Sequence, residues 1–420
     1  MLFSAIICYI TEILFKFSFY FLDIFELDKI LNKPKISELN VPTPSASYFP
    51  ALTGLRAIAA YLVFIHHFNP YTSFQHESNT IGYWAYSVCN ELYVGVTIFF
   101  CLSGFLIAHR YITRVELSAK WFFFYFRNRI ARIYPLYFLL TVIIFLICYL
   151  NPQSEFIGPY NIFISTREVF LMFFLNVTFL RGYSDIIKFT GIAQGWSLTV
   201  EETFYLIAPL ILWWVKGRKA RLSIILIVFI MVGFVLVKIF ALIPVLGVMR
   251  SNTFMLSYTF FGRCFEFISG IFLAMKMNSL QILKNKAPYT YIGLILMCVS
   301  IVLLCLARGS HEFGISTYKG ISVNNIFLAI ATAIFLCGLI VERSVIQRIL
   351  SLQFVQLLGK SSYAFYLIHV GVVDLWFEKS FSLSYLGKFI VLNIAALALY
   401  KFVEEPVNSF IRNRLNYIPA

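Results

Sequence analysis

The sequence predicts an all-α polytopic membrane protein: a helical bundle of about ten transmembrane helices, with an additional N-terminal hydrophobic helix and a re-entrant or surface helix near 169–180. Of the 420 residues, 60% are hydrophobic and 13% charged, and the mean hydropathy is +0.81. Soluble domains average roughly 45–50% apolar and about 25% charged residues. The apolar stretches are also separated by basic clusters, which is the pattern of spanning helices with cytoplasmic loops.

The first 49 residues are predicted to form the N-terminal hydrophobic helix and a polar linker. Residues 1–25 are apolar and aromatic, but they lack the basic start of a signal peptide, and Glu12 and Lys16 interrupt them. They fit either an interfacial helix or an extra span. The polar, proline-bearing stretch that follows is typical of a surface linker.

The main domain is predicted over residues 50–410, with a cytoplasmic basic tail at 411–420. A spanning helix needs about 20 mostly apolar residues. Stretches of this kind lie near 52–68, 91–109, 134–150, 196–215, 222–248, 254–275, 288–307, 321–341, 361–377 and 385–404.

The stretch at 169–180 is apolar but short. If it does not cross the membrane, the basic clusters share one side, which the positive-inside rule makes cytoplasmic; they lie at 110–132, 216–221, 276–286, 342–348 and 412–414. The opposite, external side then carries the loops 69–90, 151–195, 308–320 and 378–384.

The net charge of +14 and the eight cysteines indicate no further partner. Lys and Arg are explained by cytoplasmic loops, and no basic run suggests binding to nucleic acid. The cysteines lie in or beside apolar stretches without CxxC or Cys/His spacing, so they are interpreted as small buried hydrophobes. No metal is expected.

Arg56 and His67 flank an apolar helix, "RAIAAYLVFIHH". At about 100° and 1.5 Å per residue, eleven residues place them roughly 20° apart and about 16 Å apart along the axis. They therefore share one face at opposite depths, whereas His66 points away. Ionisable residues at the ends of spans often only reach water, but two on one face also fit a functional bundle interior.

Seven motifs in order along the chain resemble a known family, the membrane acyltransferases that O-acylate cell-envelope glycans (acyltransferase family 3). The resemblance covers roughly residues 50–410. Thr53 stands where many members of the family carry an acidic residue. A role that depends on that acid therefore does not carry over to this sequence, whereas Arg56 and His67 are unaffected. The motifs are "LTGLRAIAAYLVFIHH", with its R-x10-H signature, "VGVTIFFCLSGFLIAHR", "FRNRIARIYPLYFL", "WSLTVEETFYLIAPL", "FFGRCFEFISGIFLA", "SSYAFYLIH" and "EEP".

The resemblance implies an O-acyltransferase in the bacterial cytoplasmic (inner) membrane. The donor would be cytoplasmic acyl-CoA, in the simplest case acetyl-CoA, and the acceptor a hydroxyl of an extracytoplasmic glycan or a lipid-linked sugar. The alternative is a transporter or flippase of lipid-linked sugars. Against it, the sequence has no internal repeat and no matching pair of Gly/Pro-broken helices.

Within this interpretation, His67 corresponds to the histidine of the R-x10-H signature and would be the general base, because imidazole titrates near neutrality. Glu201 is the candidate acid that fixes its tautomer, with a structural pairing as the alternative. Arg56 could contact the pantetheine arm of CoA or pair with an acid.

Arg129 and Arg132 are expected to bind the CoA phosphates, since they lie three apart and guanidinium groups suit phosphate oxygens. Arg127 would add to the positive electrostatic potential that attracts the phosphates. The alternative is ordinary anchoring of a cytoplasmic loop.

A substrate cavity is expected to include side chains from three later blocks. For Arg263, an ion pair with Glu266 is an equally good interpretation. For Tyr363, Tyr366 and His369, packing in the core of the bundle is an equally good interpretation. The cavity candidates are Trp196, Ser197, Arg263, Tyr363, Tyr366 and His369.

Overall fold

The structure is a computed structural model that describes residues 48–77, 80–150, 166–218, 221–243, 245–281, 288–371 and 384–414. Residues 46–412 form one compact unit. The predictions for residues 1–47 and for the end of the basic tail, beyond residue 414, lie outside the described residues.

The described elements are helices, apart from an isolated antiparallel bridge between Ser184 and Val248. The predicted all-α class is therefore confirmed. The α-helices are α1 (Pro50–His67), α2 (Ile81–Asn90), α3 (Gly95–Tyr111), α4 (Ala119–Leu150), α5 (Thr166–Val177), α6 (Gly195–Val215), α7 (Arg221–Leu242), α8 (Asn252–Tyr258), α9 (Phe260–Gln281), α10 (Tyr289–Ala307), α11 (Tyr318–Ser322), α12 (Leu328–Val341), α13 (Val345–Leu350), α14 (Gln353–Ile368), α15 (Tyr385–Leu399) and α16 (Glu405–Arg414).

Seven helical stretches in the described part of the chain are long and apolar enough to cross a membrane. In lipid, a helix satisfies its own backbone hydrogen bonds, which is why these apolar runs fold in this way. The remaining predicted spans fall on α1, α9 and α14, so the count of ten stays a prediction. The seven stretches are Ile81–Tyr111, Ala119–Leu150, Gly195–Val215, Arg221–Leu242, Tyr289–Ala307, Tyr318–Val341 and Tyr385–Arg412.

Two segments outside the predicted spans are helical. Residues 119–133 form the first half of α4, because they hold no glycine or proline before Pro135, which the helix accommodates. Residues 81–90, within the predicted external segment 69–90, form α2. Thr80 caps this helix, and its hydroxyl accepts the N–H of Tyr83 at 3.0 Å.

Three other boundaries differ as well. The predicted span 254–275 is broken at Thr259, whose extended backbone separates α8 from α9. The helix α14 begins at Gln353 and ends at Ile368, whereas the sequence suggested 361–377. Within the described residues, which resume at 166, helix α5 has 12 residues. Their rise of about 18 Å is shorter than the ~30 Å hydrocarbon core, as expected for the predicted re-entrant or surface helix.

The helix α3 lies at the centre of the bundle. In the stretch Ile81–Tyr111, 78% of the most apolar window is buried, against 11% for Arg221–Leu242 at the periphery. The closest packing is with α9, where a Cβ on Gly104 would overlap the backbone of Phe267 and one on Gly270 the backbone of Cys101. Such mutual glycine contacts let membrane helices approach closely.

Candidate active site

A narrow cavity of about 60 Å³ lies where α1, α3, α4, α6 and α14 meet. Its apolar walls come mainly from α3. Its polar lining combines three arginines with a carboxylate and several hydroxyls: Arg56, Ser103, Arg129, Arg132, Ser197, Glu201, Tyr205, Tyr363 and Tyr366. The motifs that lie far apart in the sequence thus contribute to one space.

The arginines on α4 divide between two environments. Arg129 and Arg132 line the cavity, as expected for residues three apart on a helix. Arg129 is buried, with its guanidinium 5.6 Å from the ring centre of Tyr205. Arg127 does not line the cavity, and its guanidinium lies 4.6 Å from the ring centre of Phe124.

Arg56 joins the two α4 arginines from α1. Its Nε is buried and has no hydrogen-bond partner within the described chain. No described carboxylate forms an ion pair with it. The cavity therefore concentrates positive charge and unused N–H groups, an arrangement suited to phosphate or carbonyl oxygens.

Glu201 is held inside the cavity by hydroxyl groups. Ser103 from α3 and Tyr205 from α6 both donate short hydrogen bonds to its Oε1. No hydrogen bond joins Glu201 to His67 among the described residues, so the structure does not bring this carboxylate to the imidazole as the sequence interpretation suggested. The reason is depth: Glu201 faces the level of Ser103 in the middle of α3.

Two histidines meet at the end of α1. His67 is the last residue of this helix and is exposed. Its ring centre lies 5.3 Å from that of His369, which follows α14 and is completely buried. The Nδ1 atom of His369 lies 2.9 Å from the carbonyl oxygen of Tyr366. If Nδ1 carries the proton, Nε2 is an acceptor, and this atom is buried without a partner in the described chain.

His66 is used differently from His67. Its Nδ1 atom lies 2.7 Å from the carbonyl oxygen of Asn90, and its ring contacts those of Tyr93 and Phe313. His67 makes no hydrogen bond with another described residue. The Nδ1 atom of His66 is therefore engaged, whereas neither ring nitrogen of His67 is engaged by a described residue.

Tyr366 connects the cavity to the histidines. Its hydroxyl lines the cavity and lies 2.8 Å from Oγ of Ser197, while its carbonyl oxygen contacts His369. One turn earlier, Tyr363 also lines the cavity and donates to the carbonyl oxygen of Ile133 at 2.8 Å, tying α14 to α4. The structure thus brings together Ser197, Tyr363 and Tyr366 in the cavity.

Three of the six cavity candidates do not line the cavity: Arg263, Trp196 and His369, the last of which lies beside His67. Arg263 forms a buried two-pronged ion pair with Glu266 at 2.8 and 2.7 Å, which Thr97 completes by donating to Glu266 at 2.7 Å. The ring of Trp196 packs edge-on against Tyr258 at 4.9 Å. Neither Arg263 nor Trp196 lines the cavity.

Two residues of the site were missed by sequence reasoning. Tyr205 is four residues from Glu201 on one helix, a spacing that could have revealed it. Ser103 comes from another helix, and nothing local indicates it. The described residues contain no group of three His, Cys, Asp or Glu side chains placed to hold a metal ion.

Comparison with known proteins gives a family for this arrangement. Residues 49–400 match the model of the family described as "Acyltransferase domain" (acyltransferase family 3). No solved structure matches the chain.

Among named relatives, the peptidoglycan O-acetyltransferase OatA of Listeria monocytogenes is 25% identical over 79% of this chain and 50% of its own length. The putative peptidoglycan O-acetyltransferase YrhL of Bacillus subtilis is 25% identical over 86% and 55%. The O-acetyltransferase OatA of Staphylococcus aureus is 24% identical over 86% and 58%. The chain spans about half the length of the curated relatives it matches. Since the family model covers most of the chain, this integral membrane protein belongs to acyltransferase family 3.

Proposed function

We propose that the protein transfers an acyl group, in the simplest case acetyl, from cytoplasmic acyl-CoA to a hydroxyl of an extracytoplasmic glycan. The observation that carries the proposal is the continuity from the arginine-lined cavity, through Tyr366, to the pair His67 and His369. The relatives named peptidoglycan O-acetyltransferases support acetyl as the group and peptidoglycan as the acceptor. A bacterial cytoplasmic membrane is then the expected location.

In this proposal the nucleotide of CoA binds at the arginine end. Arg129 and Arg132 would contact phosphate oxygens, and the narrow pantetheine arm would occupy the cavity beside Arg56. Because Arg56 and His67 are eleven residues apart on α1, the rise of about 16 Å separates the two ends of the site. An extended arm is of this order of length, so the thioester would lie near the histidines.

The chemistry asked of the histidines is removal of one proton. As the glycan oxygen attacks the thioester carbonyl carbon, a C–O bond forms, the C–S bond breaks, and CoA leaves as a thiolate. His67 would accept the hydroxyl proton and then return it to the sulfur, so that the products are the ester and free CoA. His67 is favoured over His66 because it is the histidine of the R-x10-H spacing, on the helix face of Arg56, and because its ring contacts that of His369.

Glu201 would act in the cavity rather than on the histidine. Its carboxylate, held by Ser103 and Tyr205, faces the same space as the three arginines. It would therefore position Arg56, Arg129 or Arg132 when the donor binds, a role that a carboxylate performs through charge-assisted hydrogen bonds.

The test uses the purified full chain in detergent with acetyl-CoA and soluble peptidoglycan fragments. We expect O-acetylated fragments in mass spectrometry, each heavier by one acetyl unit, and release of an equal amount of free CoA. A carrier of lipid-linked sugars would leave acetyl-CoA intact. Intact acetyl-CoA together with protein-dependent movement of a lipid-linked sugar in vesicles would contradict the proposal.

A further inference from the structure

Arg181 is a completely buried cation that takes no part in the site described above. It lies in the short 3-10 turn Leu180–Tyr183, with 0% of its surface exposed. One of its terminal nitrogens donates to the carbonyl oxygen of Ile192. Its Nε and its other terminal nitrogen are buried and have no hydrogen-bond partner within the described chain.

No described acidic residue neutralises this guanidinium. The contrast is Arg263, which is equally buried but forms its two-pronged pair with Glu266. Removing a charge from water is expensive unless an opposite charge and further hydrogen bonds replace the water. Arg181 has neither an opposite charge nor a full set of hydrogen bonds, and its one partner is a neutral carbonyl oxygen.

The surroundings of Arg181 add positive potential. The helix α6 begins at Gly195, directly beside the guanidinium, and a Cβ at this position would overlap a terminal nitrogen of Arg181. The N-terminus of a helix carries a partial positive charge. This helix has no acidic residue in its first turn and no side-chain cap, so no side chain at this end of the helix offsets the arginine.

We infer that Arg181 and the start of α6 form a binding site for a small oxyanion, a carboxylate or a phosphate group. The free donors are the Nε and one terminal nitrogen of Arg181. The N–H groups of Gly195 and Ser197 already donate to Ile192 and Gln194 at 2.8 and 3.2 Å, so the helix start contributes its positive dipole end. Gln194, the residue before Gly195, lies 3.4 Å from Nδ1 of His369. The residue next to the proposed anion site therefore contacts one member of the histidine pair.

The oxyanion can come from solution or from a sugar that carries an acidic group. The experiment measures thermal unfolding of the purified full chain in detergent, at constant ionic strength set with sodium chloride. Sodium phosphate, sodium acetate and sodium glucuronate are titrated separately, with glucose as the uncharged counterpart of glucuronate. A saturable rise with glucuronate assigns the site to a sugar-borne carboxylate, and a rise with phosphate or acetate alone assigns it to a free anion.

The wild-type protein is expected to gain several degrees in its midpoint temperature as at least one oxyanion saturates the site. Arg181→Met, which keeps the chain length but removes the charge, should show no such rise. Without oxyanion it should be at least as stable as the wild type, because an unpaired charge is gone. A purely structural arginine would instead give a variant that is less stable at every anion concentration.

Gly195→Ala is the second variant, because its Cβ displaces the guanidinium while Arg181 remains. It should also lose the rise, and Arg181→Lys should keep a weaker one. The inference is overturned by the absence of any saturable rise in the wild type, or by equal rises in the wild type, Arg181→Met and Gly195→Ala. Since no acyl transfer is measured, failure here leaves the proposed catalytic function untouched, and the reverse also holds.

Discussion

The imidazole rings of His67 and His369 lie 5.3 Å apart, centre to centre, although one residue ends α1 and the other follows α14. His369 is locked through Nδ1 to the carbonyl oxygen of Tyr366, whereas His67 has no hydrogen bond to another described residue. The orientation of His369 is thus fixed, whereas both ring nitrogens of His67 are open to accept or donate a proton.

Replacing His67 by Ala should therefore abolish transfer. A general base typically contributes about 10²- to 10⁴-fold to the rate, so kcat should fall by at least about 100-fold while the protein still inserts and binds CoA. The matched control is His66→Ala, which removes the neighbouring imidazole and should do much less. If His66→Ala is the inactive variant, the base has been assigned to the wrong residue.

Replacing His369 by Gln tests its role as a positioning residue. Glutamine keeps a neutral hydrogen-bonding side chain but has no imidazole ring to pack against that of His67. We expect kcat to decrease and the dissociation constant of CoA to stay within about twofold. A variant that loses CoA binding and kcat together would instead place His369 in the donor site.

The arginine end of the cavity gives a prediction about binding. Arg129→Ala and Arg132→Ala each remove one charge-assisted contact, which is worth about 1.5–3 kcal/mol. Calorimetry should show CoA affinity weakened by roughly ten- to a hundred-fold in each variant. Arg127→Ala removes an equal charge from the same helix outside the cavity, and should have a smaller effect.

Dephospho-CoA separates the phosphates from the rest of the donor. If Arg129 or Arg132 holds the 3′-phosphate, its Ala variant should lose the wild-type preference for CoA over dephospho-CoA. If the double variant Arg129→Ala, Arg132→Ala binds CoA as tightly as the wild type, the two arginines do not bind the donor and serve only to orient the protein in the membrane.

The pair Arg263 and Glu266 should govern stability rather than catalysis. Glu266→Gln leaves a buried guanidinium without its counter-charge, and such losses typically cost about 3–5 kcal/mol. We expect a lower free energy of unfolding in mixed micelles, but near-normal activity per folded molecule. The double change Arg263→Met with Glu266→Leu should recover much of the stability. Loss of activity in that stable double variant would show that Arg263 belongs to the site.

The fold could be predicted far more completely than the site. Spans are local and apolar, so composition and length locate them, and the spacing of Arg129 and Arg132 already places both on one face. The approach of His369 to His67 depends on how α1 packs against α14, which no local pattern contains. Ser103 reaches Glu201 across two helices for the same reason. Arg181 lies in an irregular turn without periodicity, and only its burial without a partner distinguishes it.

The central proposal is that acyl groups cross the membrane within one protein while the glycan stays outside. The most direct measurement uses sealed vesicles with the protein in one known orientation. Acetyl-CoA is supplied only on the side of Arg129, and a membrane-impermeant peptidoglycan fragment only on the side of His67. The proposal predicts acetylated fragment in the compartment that never contained acetyl-CoA, and none with His67→Ala. Product that forms only when both substrates share one compartment would contradict it.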